Sequence, residues 1–502
     1  MTRSECSCRH IRRASEHPEH AVVITDLAID LGVVFAVTMF GALAARAMLR
    51  GATGLELAGL AFPLGGGLLT FTAFLASWAG IPLSLISVGT LWVLLITVAA
   101  LANRPPRLAA PKKYEGPRQV EVGNAGRGHW SRREWPVRVS LAIFVLMSVL
   151  AAVIAIGRAH SSYDAAAMWI VKGYGIAQEG SIFGAQVWGA HALAYPLNIH
   201  LLVMLFRLTT ADQVPGSQLI FLMFYCSTAL TVLAYWVRRE VAPLVCGLGL
   251  LFLASVPVLL LHSTIAFPNL PMAFFVVSGA IYGMEGLAGG RKGSRLLGGI
   301  LLGMGSWTII EGFQYSAVVL VLVVLAAAWD SRPRLSEYVL LAAPYLLITG
   351  IWLVFYNRYG ASGSQAVSAF NTMLVDIRAG DYNLVELRLI FGYMRRYLFE
   401  VKTWGVLFSV GGVILLLGVP KLRDSLVPEA FTLMLLFAGT AALTCALFYL
   451  RSFVTSDFLA WLIRGFPRGF LAPAIFFAMT VVLVGSPADS PATKPGGTAT
   501  SA

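Results

Sequence analysis

The stretch Tyr163–Pro196, YDAAAMWIVKGYGIAQEGSIFGAQVWGAHALAYP, decides how this chain is read. It follows a long apolar run, yet it is too polar to cross a bilayer as one helix. Asp164, Trp169, Lys172, Glu179, Trp188, His191 and Tyr195 all fall within it. Such a segment has to rest against the membrane on one side, as an outer loop carrying interfacial helices. A carboxylate, a cation and several aromatic rings at the mouth of a helix bundle are the groups that a sugar and a phosphate would need.

The 502 residues around this stretch are 58% hydrophobic and 12% charged, where a soluble domain has roughly 45–50% and about 25%. Lipid must therefore solvate most of the surface. Irregular backbone cannot face hydrocarbon, and no ten-residue alternation of barrel strands recurs. The expected fold class is an all-α polytopic membrane protein. Windows near 20 apolar residues predict about 13 transmembrane helices, at 22–46, 57–79, 83–101, 138–157, 216–237, 241–262, 268–288, 296–311, 313–329, 338–357, 404–420, 428–450 and 467–485. The shorter run 193–208 (LAYPLNIHLLVMLFRL), with Pro196, Asn198 and His200, reads as a fourteenth span or as a helix in the interface.

Positive charge chooses between these. The linker 102–137 has eight Lys/Arg between Arg104 and Arg133 and reads as cytoplasmic. With 193–208 lying on the membrane, Arg238, Arg239, Arg291, Lys292, Arg295, Arg332, Arg334, Lys421 and Arg423 share the linker's side. With 193–208 crossing, the Arg238 and Arg291 groups would lie outside. The first arrangement is preferred, and it leaves 158–215, 358–403 and 451–466 as outer loops. It also puts the N-terminus outside, which the basic tail (Arg3, Arg9, Arg12, Arg13) opposes and Arg46 and Arg50 favour. The chain then divides into a tail (1–21), three leading spans (22–101), the basic linker (102–137), a core with the outer loop (138–357), C-terminal spans with outer loops (358–485), and a tail disordered by composition (486–502). Residues 1–20 lack the apolar core of a signal peptide. Cys6 and Cys8 with His10, His17 and His20 read as a metal site or, without repeated ligand spacing, as part of a mobile tail. The net charge of +12 sits in membrane-flanking loops and does not suggest a nucleic-acid partner.

Asp164 lies about six residues beyond the span ending near Gly157, at the hydrocarbon boundary. A partly desolvated carboxylate there would accept a proton from an acceptor hydroxyl or hold a cation facing phosphate. It would equally cap the helix-prone AAAMWIVKGYG that follows. Lys172 shares the face of Asp164 if 164–174 is helical. Its ammonium would meet a lipid phosphate or snorkel to ordinary headgroups. Trp169, Trp188 and Tyr195 would stack on a sugar ring or belong to the aromatic belt. Glu311, in GSWTIIEGFQYS, sits between two apolar runs, where an ionisable group is a functional candidate. His262 and Asn269, in LLHSTIAFPNLP, occupy the preceding outer turn. Arg358, Arg388, Arg395, Arg396, Lys402, Arg451, Arg464 and Arg468 break the inside bias. A phosphate-bearing substrate or lipid headgroups would account for them. Asp376, Asp381, Glu386 and Asp457 read as solvated outer carboxylates. Gly65–Gly67 and Gly298–Gly299 fit close helix packing. No Walker loop, dinucleotide fingerprint, HExxH or paired CxxC occurs, so chemistry on the outer face needs a donor already activated.

The succession YDAAAMWIVKGYG, HALAYPLNIHLL, HSTIAFPNLPMAFFV and GSWTIIEGF resembles polyprenyl-phosphate-dependent membrane glycosyltransferases of the GT-C fold. The likeness is to the bacterial group related to dolichyl-phosphate-mannose–protein mannosyltransferases and lipid A aminoarabinose transferases. It covers roughly 138–330, and the opening GLELAGLAFPLGGGLLTFTAFLASWAGIPL is similar to leading spans of that group. The resemblance implies a GT-C-like bundle in the plasma membrane with its site facing away from the cytoplasm. It implies transfer of one sugar from a polyprenyl-phosphate donor to an extracytoplasmic glycan, lipid or protein, with inversion. Asp164 would be the catalytic or orienting carboxylate, with Glu311 kept as its counterpart. Lys172, Arg395 and Arg464 would hold phosphate, and Trp169, Tyr195, His262 and Asn269 would line the substrate. Asn269 stands where many members carry Asp, and Ile309-Ile310 where many carry a basic residue, so a divalent cation is left open. Two other readings fit the sequence: a transporter or flippase for a lipid-linked glycan, and an inactive assembly partner of the same fold. The first should bring internal repeats and mid-membrane charges, and neither stands out in the sequence.

Overall fold

The computed structural model describes residues 19–103, 135–157, 164–186, 192–210, 216–330, 332–360, 365–380, 382–422, 427–453 and 457–486; the side chains of 19–24, 164, 192, 365–370, 419–422, 427–428 and 461 lie outside the described set. Both tails, nearly all of the basic linker, Trp188 and His191 therefore fall outside it.

All regular structure among the described residues is helical. The leading group is α1 (Glu19–Met48), α2 (Gly54–Trp78) and α3 (Leu85–Ala102). Next come α4 (Trp135–Gly157), a π turn at Asp164–Ile170 running into α5 (Val171–Glu179), and α6 (Asn198–Thr209). The core continues with α7 (Gly216–Arg238), α8 (Pro243–Ala254), α9 (Pro257–Ser263), α10 (Asn269–Leu287), α11 (Lys292–Ser306), α12 (Ile310–Asp330) and α13 (Leu335–Tyr359). The last part is α14 (Gln365–Arg378), α15 (Leu384–Leu398), α16 (Val401–Trp404), α17 (Leu407–Leu422), α18 (Val427–Ser452), α19 (Phe458–Gly469) and α20 (Leu471–Gly485).

Every predicted apolar window forms a helix, but not every one is a full span. Nine helices among the described residues are long and apolar enough to cross a membrane, so this is a multi-pass membrane protein. The window 241–262 breaks into α8 and α9, bent by 65° where Pro257 starts a new helix, and α19 and α20 form a second pair bent by 43°. Counting each pair as one crossing gives up to 11. The windows 296–311 and 404–420 become α11 and α17, of 15 and 16 residues, shorter than the roughly 20 that a bilayer needs. The 12-residue α6 is shorter still.

Small residues set the closest packing. A Cβ on Gly65 of α2 would lie 2.1 Å from the Val37 carbonyl oxygen of α1, and one on Gly299 of α11 would lie 2.0 Å from that of Leu341 in α13. At such seams the backbones touch, which only glycine permits. Helices α2, α7, α10, α11 and α20 form the interior, while α3 and α4 keep most of their apolar surface outward, toward lipid.

Ion pairs identify one end of the bundle. Glu56, 1% exposed at the start of α2, meets Arg238 at the end of α7 (3.0 Å) and Arg291 just before α11 (2.7 Å). Arg238 also meets Glu285 of α10 (2.7 Å), Arg295 meets Glu337 of α13 (2.8 Å), and Arg239 pairs with Glu429 of α18. Asn103, after α3, donates to the Leu43 carbonyl (2.9 Å) toward this end of α1. The ends at which α7 and α11 carry Arg238, Arg239, Arg291 and Arg295 are thus one end. The short helices between α4 and α7 cover the other.

Candidate functional site

At that opposite end the chain between α4 and α7 packs down as a layer of short helices. Helix runs from Asp164 to Glu179, the condition under which positions 164 and 172 share a face; the side chain of Asp164 is outside the described set. Lys172 is completely buried, with Nζ 5.6 Å from the centre of the Tyr195 ring. Burial alone holds its ammonium down from the usual 10.5 to about 8. Trp169 lies edge-to-face on Tyr195 (5.5 Å) and against His200 (5.0 Å). The Nε2 of His200 bonds the Met168 carbonyl (2.9 Å). Burial first, and the neighbouring Lys172 second, push this imidazole down to about 3, so it is neutral at physiological pH. Gly173 lets α5 and α6 close up, since a Cβ there would lie 2.6 Å from Val203.

Asn198 fastens this layer to the bundle. Its Oδ1 accepts from Thr70 of α2 (2.7 Å) and its Nδ2 donates to Thr308 (3.0 Å), in the turn between α11 and α12. All three side chains are buried. Three residues beyond Thr308, Glu311 opens α12, half-buried, with its Oε2 shielded from solvent and without a hydrogen-bond partner. Arg451 is the cation acting on it. Gly312, next in sequence, packs against Met272 one turn into α10, which brings the start of that helix and half-buried Asn269 alongside. His262, 3% exposed at the end of α9, lies 5.6 Å from the Phe267 ring, and its Nδ1 has no hydrogen-bond partner. The guanidinium of Arg468 stacks over the same Phe267 ring, 3.9 Å from its centre.

The structure therefore brings Lys172, Trp169 and Tyr195 together, and it brings Glu311, Asn269 and His262 to neighbouring helix ends joined to the first group through Asn198 and Thr308. Arg395 and Arg464 are both exposed, on α15 and α19. Arg468 is the cation that turns toward the His262 turn. Sequence reasoning assigned no role to Asn198, His200, Thr70 or Thr308. Their signal was polarity at isolated points in apolar runs. It also passed over Asp30, fully buried in α1, whose two carboxylate oxygens have no hydrogen-bond partner and whose carboxylate packs against Gly216 at the start of α7.

Among the described residues no three of His, Cys, Asp and Glu come together as a metal ion would require. The free carboxylate oxygen of Glu311 has a cation, Arg451, for company, a poor start for a divalent site. No protein-family model, curated protein or solved structure matches the chain.

Proposed function

We propose that this protein is a membrane glycosyltransferase of the GT-C type, moving one sugar from a polyprenyl-phosphate donor to an acceptor outside the cytoplasm. The observation that carries the reading is the fully buried Lys172 over the Tyr195 ring, in a short-helix layer tied through Asn198 to the turn before Glu311. An ammonium in a water-poor recess stabilises a departing phosphate far better than one in solvent. Trp169 and Tyr195 offer ring faces and edges to a sugar. Asp164, at the start of the same helical run, would take the proton of the acceptor hydroxyl. As that oxygen bonds to the anomeric carbon, the carbon–phosphate-oxygen bond breaks and its electron pair leaves with the phosphate. One displacement of this kind inverts the carbon. Glu311, with His262 and Asn269 nearby, would orient the acceptor.

The same reading makes the ion-paired end cytoplasmic, by the excess of arginine there, and the membrane the plasma membrane. It counts α11 and α17 with the spans and bent pairs, for 13 membrane helices in a GT-C-like bundle. The test is turnover of purified protein in nanodiscs with radiolabelled polyprenyl-phosphate sugars. Acceptor-dependent release of polyprenyl phosphate is expected, falling at least about 100-fold in Asp164→Asn while the protein still folds. Absence of turnover with every donor overturns the assignment; unchanged turnover in Asp164→Asn removes that residue from the mechanism.

A further inference from the structure

We infer that the exposed faces of α15 and α19 form a cationic shelf that binds the headgroups of anionic phospholipids, apart from the candidate site and whatever reaction occurs there. On α15, Leu384, Arg388, Phe391 and Arg395 fall in one row at i, i+4, i+7 and i+11, with Val385, Leu389 and Arg396 in the row beside it. All seven are exposed; Val385 is 65% exposed and Phe391 50%. The other side of the helix is fastened down. Ile390 is fully buried, Tyr393 and Tyr397 stack at 4.9 Å and both meet the edge of Phe466 of α19, and Met394 touches Cys445 of α18. Helix α19 repeats the pattern, exposing Leu459, Ile463 and Arg464 while burying Leu462 and Phe466.

A helix facing water would not expose Leu384, Val385, Leu389 and Phe391 together. A helix facing hydrocarbon would not carry three arginines in the same rows. Apolar and cationic side chains sharing one face fit the headgroup level, where the alkyl parts sink and the guanidinium groups stay with phosphate. None of Arg388, Arg395, Arg396 and Arg464 forms an ion pair among the described residues. On these helices the acids are half-buried Glu386 and, before α19, exposed Asp457, so the arginines outnumber them. These four are also among the cations that break the charge bias of the loops. An anionic surface at this end supplies the counter-charge that the protein does not.

The experiment is native mass spectrometry of the full chain released from mixed micelles of phosphatidylglycerol and phosphatidylcholine. Wild type is expected to retain phosphatidylglycerol in preference. Replacing all four arginines by Gln should cut that preference at least roughly fivefold, since each cation near an anionic surface contributes measurably, while replacing them by Lys should keep most of it. Thermal stability in detergent, measured alongside, separates lost binding from lost folding. Raising the salt concentration tenfold should weaken the wild-type preference without any mutation. No preference in wild type, or the same preference in a folded Gln variant, overturns the shelf. Free glycerol phosphate at equal concentration should not compete; competition by it would mean a site for soluble phosphate and would overturn the assignment to a lipid surface.

Discussion

The two ends of this bundle treat buried charge in different ways. At the Glu56 end each described buried charge meets its opposite, in pairs that join α2, α7, α10, α11 and α13. At the Lys172 end, polar atoms of His262 and Glu311 are shielded from water without hydrogen-bond partners, and the neutral His200 ring sits beside a buried ammonium. Buried polar atoms normally have partners, and where a fold leaves some without, a site is the first explanation to test. The first end holds the helices in register. The second keeps unspent polar capacity under a cover of short helices.

The contrast can be broken experimentally. The largest expected effect is at the paired end: Glu56→Ala leaves two arginines without their shared carboxylate and should destabilise by about 3–5 kcal/mol, read from thermal or denaturant unfolding in detergent. Next is Asn198→Ala, which removes two buried hydrogen bonds and should cost about 1–3 kcal/mol, loosening 164–209 in hydrogen exchange before the rest unfolds. Lys172→Met should match or exceed wild-type stability at pH 7, while abolishing any transfer. The folded chain releases the Lys172 proton near pH 8 and the unfolded chain near 10.5. The burial penalty is therefore fully present below pH 8 and lifts between pH 8 and 10.5. Wild type should gain stability relative to Lys172→Met across that window, and a flat difference would show that the ammonium is not buried in solution. The smallest effect belongs to Glu311→Gln, expected within about 1 kcal/mol of wild type or above it, because the substitution removes a charge one of whose buried oxygens has no hydrogen-bond partner. Should Glu311→Gln prove as damaging as Glu56→Ala, the distinction between the two ends collapses.

Where the helices run was legible because apolar length is a local property, and each predicted window is found as a helix. What happens within a window was less so. Pro257 signalled a helix start inside 241–262, but proline is tolerated in membrane helices, so only packing reveals the 65° bend. The grouping of Lys172, Trp169 and Tyr195 could be read because one stretch of 27 residues, 169–195, contains all three. The bond from Asn198 to Thr308 spans 110 positions and that from Arg291 to Glu56 spans 235, distances over which one sequence carries no pairing signal. Arg395 and Arg464 were expected to hold phosphate because their charge breaks the loop bias; that both are exposed could not be read from sequence, since which way an amphipathic helix turns depends on its neighbours. Asp30 was hidden by its surroundings: even with two carboxylates, Asp26 and Asp30, the span Thr25–Met48 reaches a mean hydropathy of 2.1.

The two hydrogen bonds of Asn198 join side chains that are all 1% exposed or less, away from bulk water. A lid on a solvent-filled cleft can fray open one contact at a time, with water taking each vacated bond. This one cannot, so the cover over the bundle mouth should lift in a single cooperative event or stay shut. Anything with a long hydrocarbon tail would then find it easier to arrive sideways, between helices within the lipid, than from the aqueous phase above.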